Sequence, residues 1–132
     1  MQVFELPSSM DDLEPLPAKY HPHFTGGAGL SDLFPSEEPH SVSVLMVRFE
    51  PGTRNNWHWH RGGQMLYVTD GEGYVQVRGE KPRLVKTGDV VACPPGEEHW
   101  HGAGPGGHMT HLAVTLGEIV WLEPSVLDLS DL

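Results

Sequence analysis

The sequence contains a single cysteine, Cys93, and no long apolar segment. One cysteine cannot close an intrachain disulfide, which agrees with a reducing compartment. The chain also lacks the run of about 18 apolar residues that a membrane-spanning helix requires. Residues 1–15 lack the basic and apolar regions of a secretory signal. We therefore expect a cytoplasmic protein with no segment that spans a membrane.

Basic residues are scarce as well. Lysine and arginine together number 8 against 18 aspartates and glutamates, which gives a formal net charge of −10. Nucleic-acid-binding proteins neutralise phosphates with clustered lysines and arginines, and anionic membrane surfaces attract the same side chains. We therefore expect neither nucleic acid nor a membrane among the partners of this protein.

The 132 residues suffice for one domain around one core. From residue 41 onward, short apolar runs alternate with Gly- and Pro-containing turns, which is typical of an all-β sandwich or barrel. The pattern predicts eight strands, with turns between them that include one at residues 70–73. The predicted strands are residues 42–49, 54–60, 64–69, 73–78, 83–86, 90–93, 99–103 and 108–116. Eight strands suit a closed jelly roll with a small interior cavity.

Residues 1–41 differ in composition, because they carry six of the twelve prolines. Residues 3–6 could form a short strand, and no helix longer than about two turns fits between the prolines and glycines. We interpret residues 1–41 as a proline-rich N-terminal arm that precedes a single barrel at residues 42–132. The barrel ends in a short C-terminal tail.

The segment from Gly52 to Gly71 has the spacing of a metal site. In a strand His58 and His60 point to the same side, since alternate residues share a face. The two glycines before Gln64 allow a tight reversal that places its side chain beside the histidines. A second stretch, with a Pro-Pro-Gly turn, delivers His99 at the start of another strand. These four side chains are the predicted ligands of one divalent metal ion.

These two stretches resemble the motifs of the cupins. The first cupin motif is matched at its two glycines, two histidines and final ligand position, and the second at its glycines, proline and histidine. The matched residues are Gly52, His58, His60, Gln64 and Gly71, then Gly88, Pro94, Gly96 and His99. The resemblance implies a jelly-roll barrel, also called a double-stranded β-helix. It further implies an arm that lies across the barrel or a partner subunit, and a homo-oligomer, dimer or tetramer.

The sequence departs from the cupin pattern at Gln64, where the family usually has glutamate. Three imidazoles and an amide leave the charge of the ion uncompensated by protein, which makes a stronger Lewis acid and disfavours oxidation of Fe(II). Imidazole and amide ligands suit Mn, Fe, Zn, Ni or Co. The predicted cofactor is therefore one divalent ion per chain.

A closer resemblance is to small single-domain bacterial cupins that include manganese-dependent hydroxynitrile lyases and relatives of carboxymuconolactone decarboxylases. It implies manganese as the first choice of metal and a lyase that acts on a small hydroxy or carbonyl compound. It also implies acid/base roles for His101 and His111, whose pKa values in water lie near neutrality. Two alternatives remain open: an Fe(II) dioxygenase, and a non-catalytic barrel that binds or senses a small ligand, in which these histidines only line the interior.

Overall fold

The computed structural model of the protein describes residue 3, residues 13–34 and residues 42–126. These residues form ten strands and one six-residue 3₁₀ helix. No helix in these ranges is long and apolar enough to cross a membrane. The elements in chain order are β1 (Glu14–Pro15), the 3₁₀ helix (Ala18–His23), β2 (Ala28–Asp32), β3 (Val42–Phe49), β4 (His58–His60), β5 (Gln64–Val77), β6 (Arg83–Lys86), β7 (Val90–Cys93), β8 (His99–Ala103), β9 (Met109–Leu116) and β10 (Ile119–Trp121).

The strands pair antiparallel throughout, in the order β1-β2-β3-β9-β5-β8-β4-β10, and β6 and β7 also pair with β5. Strand β5 is long enough to join two sheets. Its first half pairs with β9 and β7, and its second half pairs with β8 and β6. The result is a curled antiparallel sheet that confirms the predicted all-β jelly roll.

The prediction of a turn at residues 70–73 is wrong, because β5 continues through these residues without a break. The chain bends there by a register shift between Val68 and Asp70 rather than by reversing. Gly71 has φ 75°, and a Cβ atom on Gly73 would collide with the carbonyl oxygen of Gly102. The two glycines therefore serve a bend and a close backbone approach, which the sequence pattern alone does not distinguish from a turn.

Another predicted strand is shorter in the structure. The strand predicted at residues 54–60 is reduced to β4, because Arg54 and Asn55 make only isolated bridges, to Gly102 and Phe24. Residues 13–34 of the predicted arm contribute β1, the 3₁₀ helix and β2, and β2 pairs along β3. The short strand predicted at residues 3–6 lies outside the described residues, apart from Val3.

The core lies between the two halves of the curled sheet. Strand β5 shows the alternation that a half-buried strand requires: Leu66 and Val68 are buried, whereas Met65 and Tyr67 are 47% and 42% exposed. The buried cluster consists of Val47, Phe49, Val68, Val85, Ala103 and Met109. The inward face of the curled sheet therefore surrounds an interior that also contains the predicted metal ligands.

Candidate metal centre

Three of the predicted ligands converge at one end of the barrel. His58 and His60 project from β4, and His99 opens β8, where it pairs in register with His58. The candidate ligand atoms of these three histidines lie within 4.8 Å of one another, and all three side chains are buried. Three imidazole nitrogens at this spacing could hold a metal ion.

Hydrogen bonds orient two of these rings. Nδ1 of His58 donates to the carbonyl oxygen of Asn56 at 2.8 Å, and Nδ1 of His99 donates to that of Glu97 at 2.9 Å. With the proton on Nδ1, the Nε2 atom of each neutral ring carries a lone pair. His60 is buried, and neither of its ring nitrogens has a hydrogen-bond partner. Unpartnered buried nitrogens are costly, and a bound cation would supply the missing partner.

The turn between β4 and β5 brings Gln64 to the same point. Gly63 has φ 91°, a left-handed conformation that favours glycine, and Gln64 follows as the first residue of β5. Nε2 of Gln64 donates to Oγ1 of Thr115 at 3.0 Å, and Oε1 lies 3.2 Å from Nε2 of His99. When the proton of His99 is on Nδ1, the lone pair on its Nε2 atom faces the amide oxygen of Gln64. This arrangement fits the prediction of Gln64 as fourth ligand, because a cation would attract both atoms.

The electrostatics of the site keep its histidines neutral. Burial lowers the pKa of His60 to about 4, with a further decrease from His99 and an opposing effect of Gln64. Burial likewise lowers the pKa of His99, against its bond to the Glu97 carbonyl, and the pKa of His58 lies well below the ordinary value. Neutral imidazoles are the form that binds metals, so these three histidines could bind a metal ion at neutral pH.

A second pair of histidines lies beside the first group. Nε2 of His111, on β9, is 3.1 Å from Nδ1 of His101, on β8. The ring of His101 is 5.2 Å from that of His58 and stacks at 22° on that of His99, 5.7 Å away. Burial lowers the pKa of His111 to about 4, against an opposing effect of its own backbone. Burial also lowers the pKa of His101 well below its ordinary value, with the help of the neighbouring histidines. The two predicted acid/base residues therefore share a hydrogen bond within reach of the metal centre.

A cavity of about 440 Å³ opens onto His58 and His60 of the first group and onto both histidines of the second group. His58, His60, Gln64, His101 and His111 form its polar end. Most of the remaining wall is apolar, and the rest of the lining includes Leu16, Phe24, Leu30, Leu45, Val47, Phe49, Ala113, Thr115, Ile119 and Trp121. The cavity thus combines a small polar centre with an apolar body, as ligand sites commonly do.

The sequence reading missed several residues that shape this site. The backbone N–H of His101 donates to Oδ1 of Asn55 at 3.0 Å, which leaves Nδ2 of Asn55 facing the His101 ring. The indole of Trp121 lies 4.9 Å from the His58 ring and stacks on His23 at 4.3 Å. The two asparagines that precede the His-Trp-His run were the feature of the sequence that could have indicated the contact between Asn55 and His101. Trp121 had no signal in the sequence, because its partners are distant along the chain.

Comparisons with known proteins agree with this architecture. A family model of the cupin domain matches residues 45–115. (R)-mandelonitrile lyase of Granulicella tundricola is 47% identical over 91 residues, which are 69% of this chain and 70% of that protein. Acireductone dioxygenase 1 of Physcomitrium patens is 27% identical over 82 residues, which are 58% of this chain and 42% of that protein.

A solved structure extends the similarity over nearly the whole chain. The crystal structure of a cupin-like protein from Thermotoga maritima superposes with a TM-score of 0.78 at 36% sequence identity. The superposition covers 96% of this chain and 92% of the Thermotoga maritima chain. The family model spans more than half of the 132 residues. The chain therefore belongs to the cupin family.

Proposed function

We propose that this protein is a metal-dependent lyase of the hydroxynitrile lyase type, which cleaves a cyanohydrin into a carbonyl compound and hydrogen cyanide. The observation that carries the proposal is the juxtaposition of the His58, His60 and His99 cluster with the His101–His111 pair, at a cavity that is lined by His58, His60, His101 and His111. The reaction itself is suggested by the 47% identity to (R)-mandelonitrile lyase.

The proposed cofactor is one divalent ion per chain, manganese before iron, zinc, nickel or cobalt. His58, His60, His99 and Gln64 would hold it. When bound by neutral ligands only, such an ion acts as a Lewis acid that polarises the hydroxyl or carbonyl oxygen of the substrate. No carboxylate side chain belongs to the proposed ligand set, so the protein itself would not reduce this polarising charge.

His101 is the proposed base, because its ring contacts the rings of both His58 and His99, whereas His111 contacts His101. A neutral His101 accepts the proton of the cyanohydrin hydroxyl, and the oxygen lone pair then forms the carbonyl as the bond to the nitrile carbon breaks. Cyanide leaves with the electron pair of that bond. His101 returns the proton to cyanide, which gives hydrogen cyanide.

His111 has a supporting role in this scheme. The 3.1 Å contact places one hydrogen between its Nε2 and Nδ1 of His101, so the two rings share the charge that protonation adds. Oδ1 of Asn55 accepts from the His101 backbone, and its Nδ2 group therefore faces the ring as a donor. Because the NH₂ group of Asn55 is a donor, it favours a lone pair on the ring nitrogen of His101 that accepts from it.

A second candidate is an Fe(II) dioxygenase at the same ligands. It is favoured by the 27% identity to acireductone dioxygenase 1, over less than half of that protein. Protein purified without an affinity tag and loaded separately with manganese and iron separates the two candidates. The lyase releases hydrogen cyanide and benzaldehyde from mandelonitrile without oxygen uptake, whereas a dioxygenase consumes oxygen in step with substrate. Ligand binding without either turnover would instead support a non-catalytic barrel.

We also propose that the chain forms a homo-oligomer, a dimer or a tetramer. The outward-facing side of β5, β7 and β9 carries Met65, Tyr67, Val90 and Leu116, which are 42–60% exposed and uncharged. A second copy of a chain with net charge −10 is best accepted on an uncharged face. Light scattering on the purified protein tests this, and a Tyr67→Glu variant should shift the mass towards the monomer. An unchanged monomeric mass for the wild type would contradict it.

A further inference from the structure

The orientation of the Gln64 amide decides whether this side chain can bind a cation. An amide oxygen attracts a cation, whereas the NH₂ group of the same side chain repels it, and the two ends have nearly the same shape. In this structure Nε2 of Gln64 donates to Oγ1 of Thr115 at 3.0 Å, and the oxygen points towards His99. The oxygen therefore faces the histidines because its nitrogen is engaged on the other side.

Thr115 is itself held firmly in place. It lies opposite Gln64 in the register of β9 on β5. The next residue, Leu116, donates its N–H to the Gly63 carbonyl at 3.0 Å and accepts from the Gly62 N–H at 2.8 Å. The C-terminal end of β9 therefore holds, through these hydrogen bonds, the turn that precedes Gln64. A β-branched side chain on such a fixed backbone has little rotational freedom.

We infer that Thr115 is a positioning residue that holds Gln64 as an oxygen ligand. This inference rests on the proposed metal centre but not on the reaction. Without the Thr115 hydroxyl, the amide loses the partner that fixes its nitrogen and can turn its NH₂ group towards the cation. Residues that orient a metal ligand typically change affinity by about 10- to 100-fold when they are removed.

The test compares Thr115→Val, which keeps the shape, with Thr115→Ser, which keeps the hydroxyl. Manganese binding is measured by calorimetry and by the spin-resonance signal of the bound ion. The expected result is about tenfold or more weaker binding by Thr115→Val, near wild-type binding by Thr115→Ser, and a changed signal for the valine variant alone. If the valine variant does not fold, Thr115→Ala replaces it.

Manganese affinity and signal of Thr115→Val equal to those of the wild type would overturn the inference. So would a wild-type chain that binds no manganese. A wild-type chain that binds manganese but releases no cyanide from cyanohydrins would overturn the proposed reaction and leave the role of Thr115 intact. The two failures are therefore distinguishable.

A separate observation concerns the charge of the compound that the cavity accepts. No lysine or arginine is among the described residues that line it. Two arginines that adjoin lining residues in the sequence have other partners: Arg54 donates to the Ser125 carbonyl at 3.2 and 3.3 Å, and Arg61 pairs at 3.1 Å with Glu118, a carboxylate of the lining. An anionic group at the apolar end of the cavity, away from the proposed metal site, would be buried without a cationic partner, which is costly, so this end suits an uncharged group.

One wall of this cavity comes from the N-terminal part of the chain. Leu16 precedes the 3₁₀ helix, Tyr20 lies within it, and Phe24 follows it, and all three line the cavity. Two contacts attach this wall to the strand region of the metal centre. The backbone N–H of Asn56 donates to the His23 carbonyl at 2.7 Å, and His23 stacks on Trp121. The wall therefore has a fixed distance from His58.

The geometry points to Leu16 and Tyr20 as residues that set the size of the apolar group of an uncharged substrate. Tyr20 is half-buried, and its N–H is fixed by the Pro17 carbonyl at 2.9 Å. Substitution by alanine would enlarge the cavity beside the substrate without removing a metal ligand. This inference deepens the proposed function, because it names the class of compound that the site accepts.

Binding of model alcohols to the metal-loaded protein tests it without requiring turnover. The probes are benzyl alcohol, 2-naphthalenemethanol and 4-(hydroxymethyl)benzenesulfonate, whose sulfonate is a poor metal ligand. Tyr20→Ala and Leu16→Ala should shift the preference towards the naphthalene compound by about tenfold. His108→Ala, whose ring bonds Asp70 outside the cavity, should leave the preference unchanged. The sulfonate should bind the wild type at least tenfold more weakly than benzyl alcohol.

The assignment would be overturned if both wall variants showed the same preference between benzyl alcohol and 2-naphthalenemethanol as the wild type. It would also be overturned if the wild type bound the sulfonate as tightly as benzyl alcohol. Because these are equilibrium measurements, they remain decisive if mandelonitrile is not a substrate. In that case only the proposed reaction would fail.

Discussion

The Nε2 atom of His111 lies 3.1 Å from the Nδ1 atom of His101, and both rings are buried at the polar end of the cavity. The three-histidine cluster needs neither residue as a ligand, yet the fold places both next to it. A hydrogen-bonded pair of neutral imidazoles can accept one proton and distribute its charge. In the proposed function, one group of histidines binds the cofactor and the other moves protons.

That separation gives the first prediction. His101→Ala and His111→Ala should each lower the rate of cyanide release by about 10²- to 10⁴-fold, the usual contribution of general acid–base catalysis. Manganese content should remain near one ion per chain in both variants. His108→Ala is the matched control, because His108 bonds Asp70 outside the cavity, and its activity should be unchanged. Full activity in the His101 and His111 variants would remove the proposed mechanism.

The second prediction concerns pH and stability. In the unfolded chain histidine titrates near 6.5, whereas the folded pKa values of His60 and His111 are about 4. Between these values the unfolded state binds more protons than the folded state. The free energy of unfolding of metal-free protein should therefore fall as pH decreases from about 6.5 to 4, by at most about 1.4 kcal/mol per pH unit for each titrating histidine.

Urea unfolding of chelator-treated protein at several pH values measures this slope. The buried His111 should contribute part of it, so His111→Phe should flatten the dependence if the variant folds. A free energy of unfolding that stays constant from pH 7 to pH 4.5 would contradict the burial of neutral histidines.

The third prediction tests the turn that joins two ligands. Gly63 has φ 91°, and a Cβ atom there would lie 2.8 Å from the Cys93 carbonyl oxygen. Gly88 has φ 95° with open space around the same position. Each change to alanine should cost about 1–2 kcal/mol for the left-handed backbone. Gly63→Ala should cost more and should also weaken manganese binding, because it displaces Gln64.

Thermal unfolding and manganese titration of the two variants provide the comparison. Equal losses of stability and unchanged metal affinity in both would show that the Gly63 turn does not control the site.

The fourth prediction concerns Cys93, which is buried. Burial, with a smaller effect of Glu97, raises the pKa of its thiol to about 12. The thiolate is the reactive form, so the native protein should resist alkylation by iodoacetamide at pH 8. The thiol should react readily in urea. Rapid alkylation of the native protein, followed by mass spectrometry, would contradict the buried position.

Whether a feature of this protein could be predicted from the sequence depends on how far apart along the chain the interacting residues lie. His58, His60, Gln64 and His99 could be proposed as neighbours because strand parity and two short turns are encoded locally. The run of β5 through residues 70–73 could not, since its glycines are required by contacts with Gly102 on β8 and with His108 just before β9, both distant in the sequence.

The supporting residues of the site were equally hidden. Asn55 contacts His101 across 46 positions of sequence, and Trp121 reaches both His58 and the N-terminal His23. Such contacts depend on the path of the whole chain. Local pattern indicates which side chains face inward, but it does not indicate which of them meet.

The most direct test of the central claim is manganese titration of the purified wild type and of the single variants His58→Ala, His60→Ala, His99→Ala and Gln64→Ala, with His108→Ala as control. The account predicts one tightly bound ion per chain in the wild type and the control. Binding should be lost or at least 100-fold weaker in the three histidine variants and clearly weaker in the glutamine variant. A wild type that binds no divalent ion, or histidine variants that bind it as tightly as the wild type, would contradict the account.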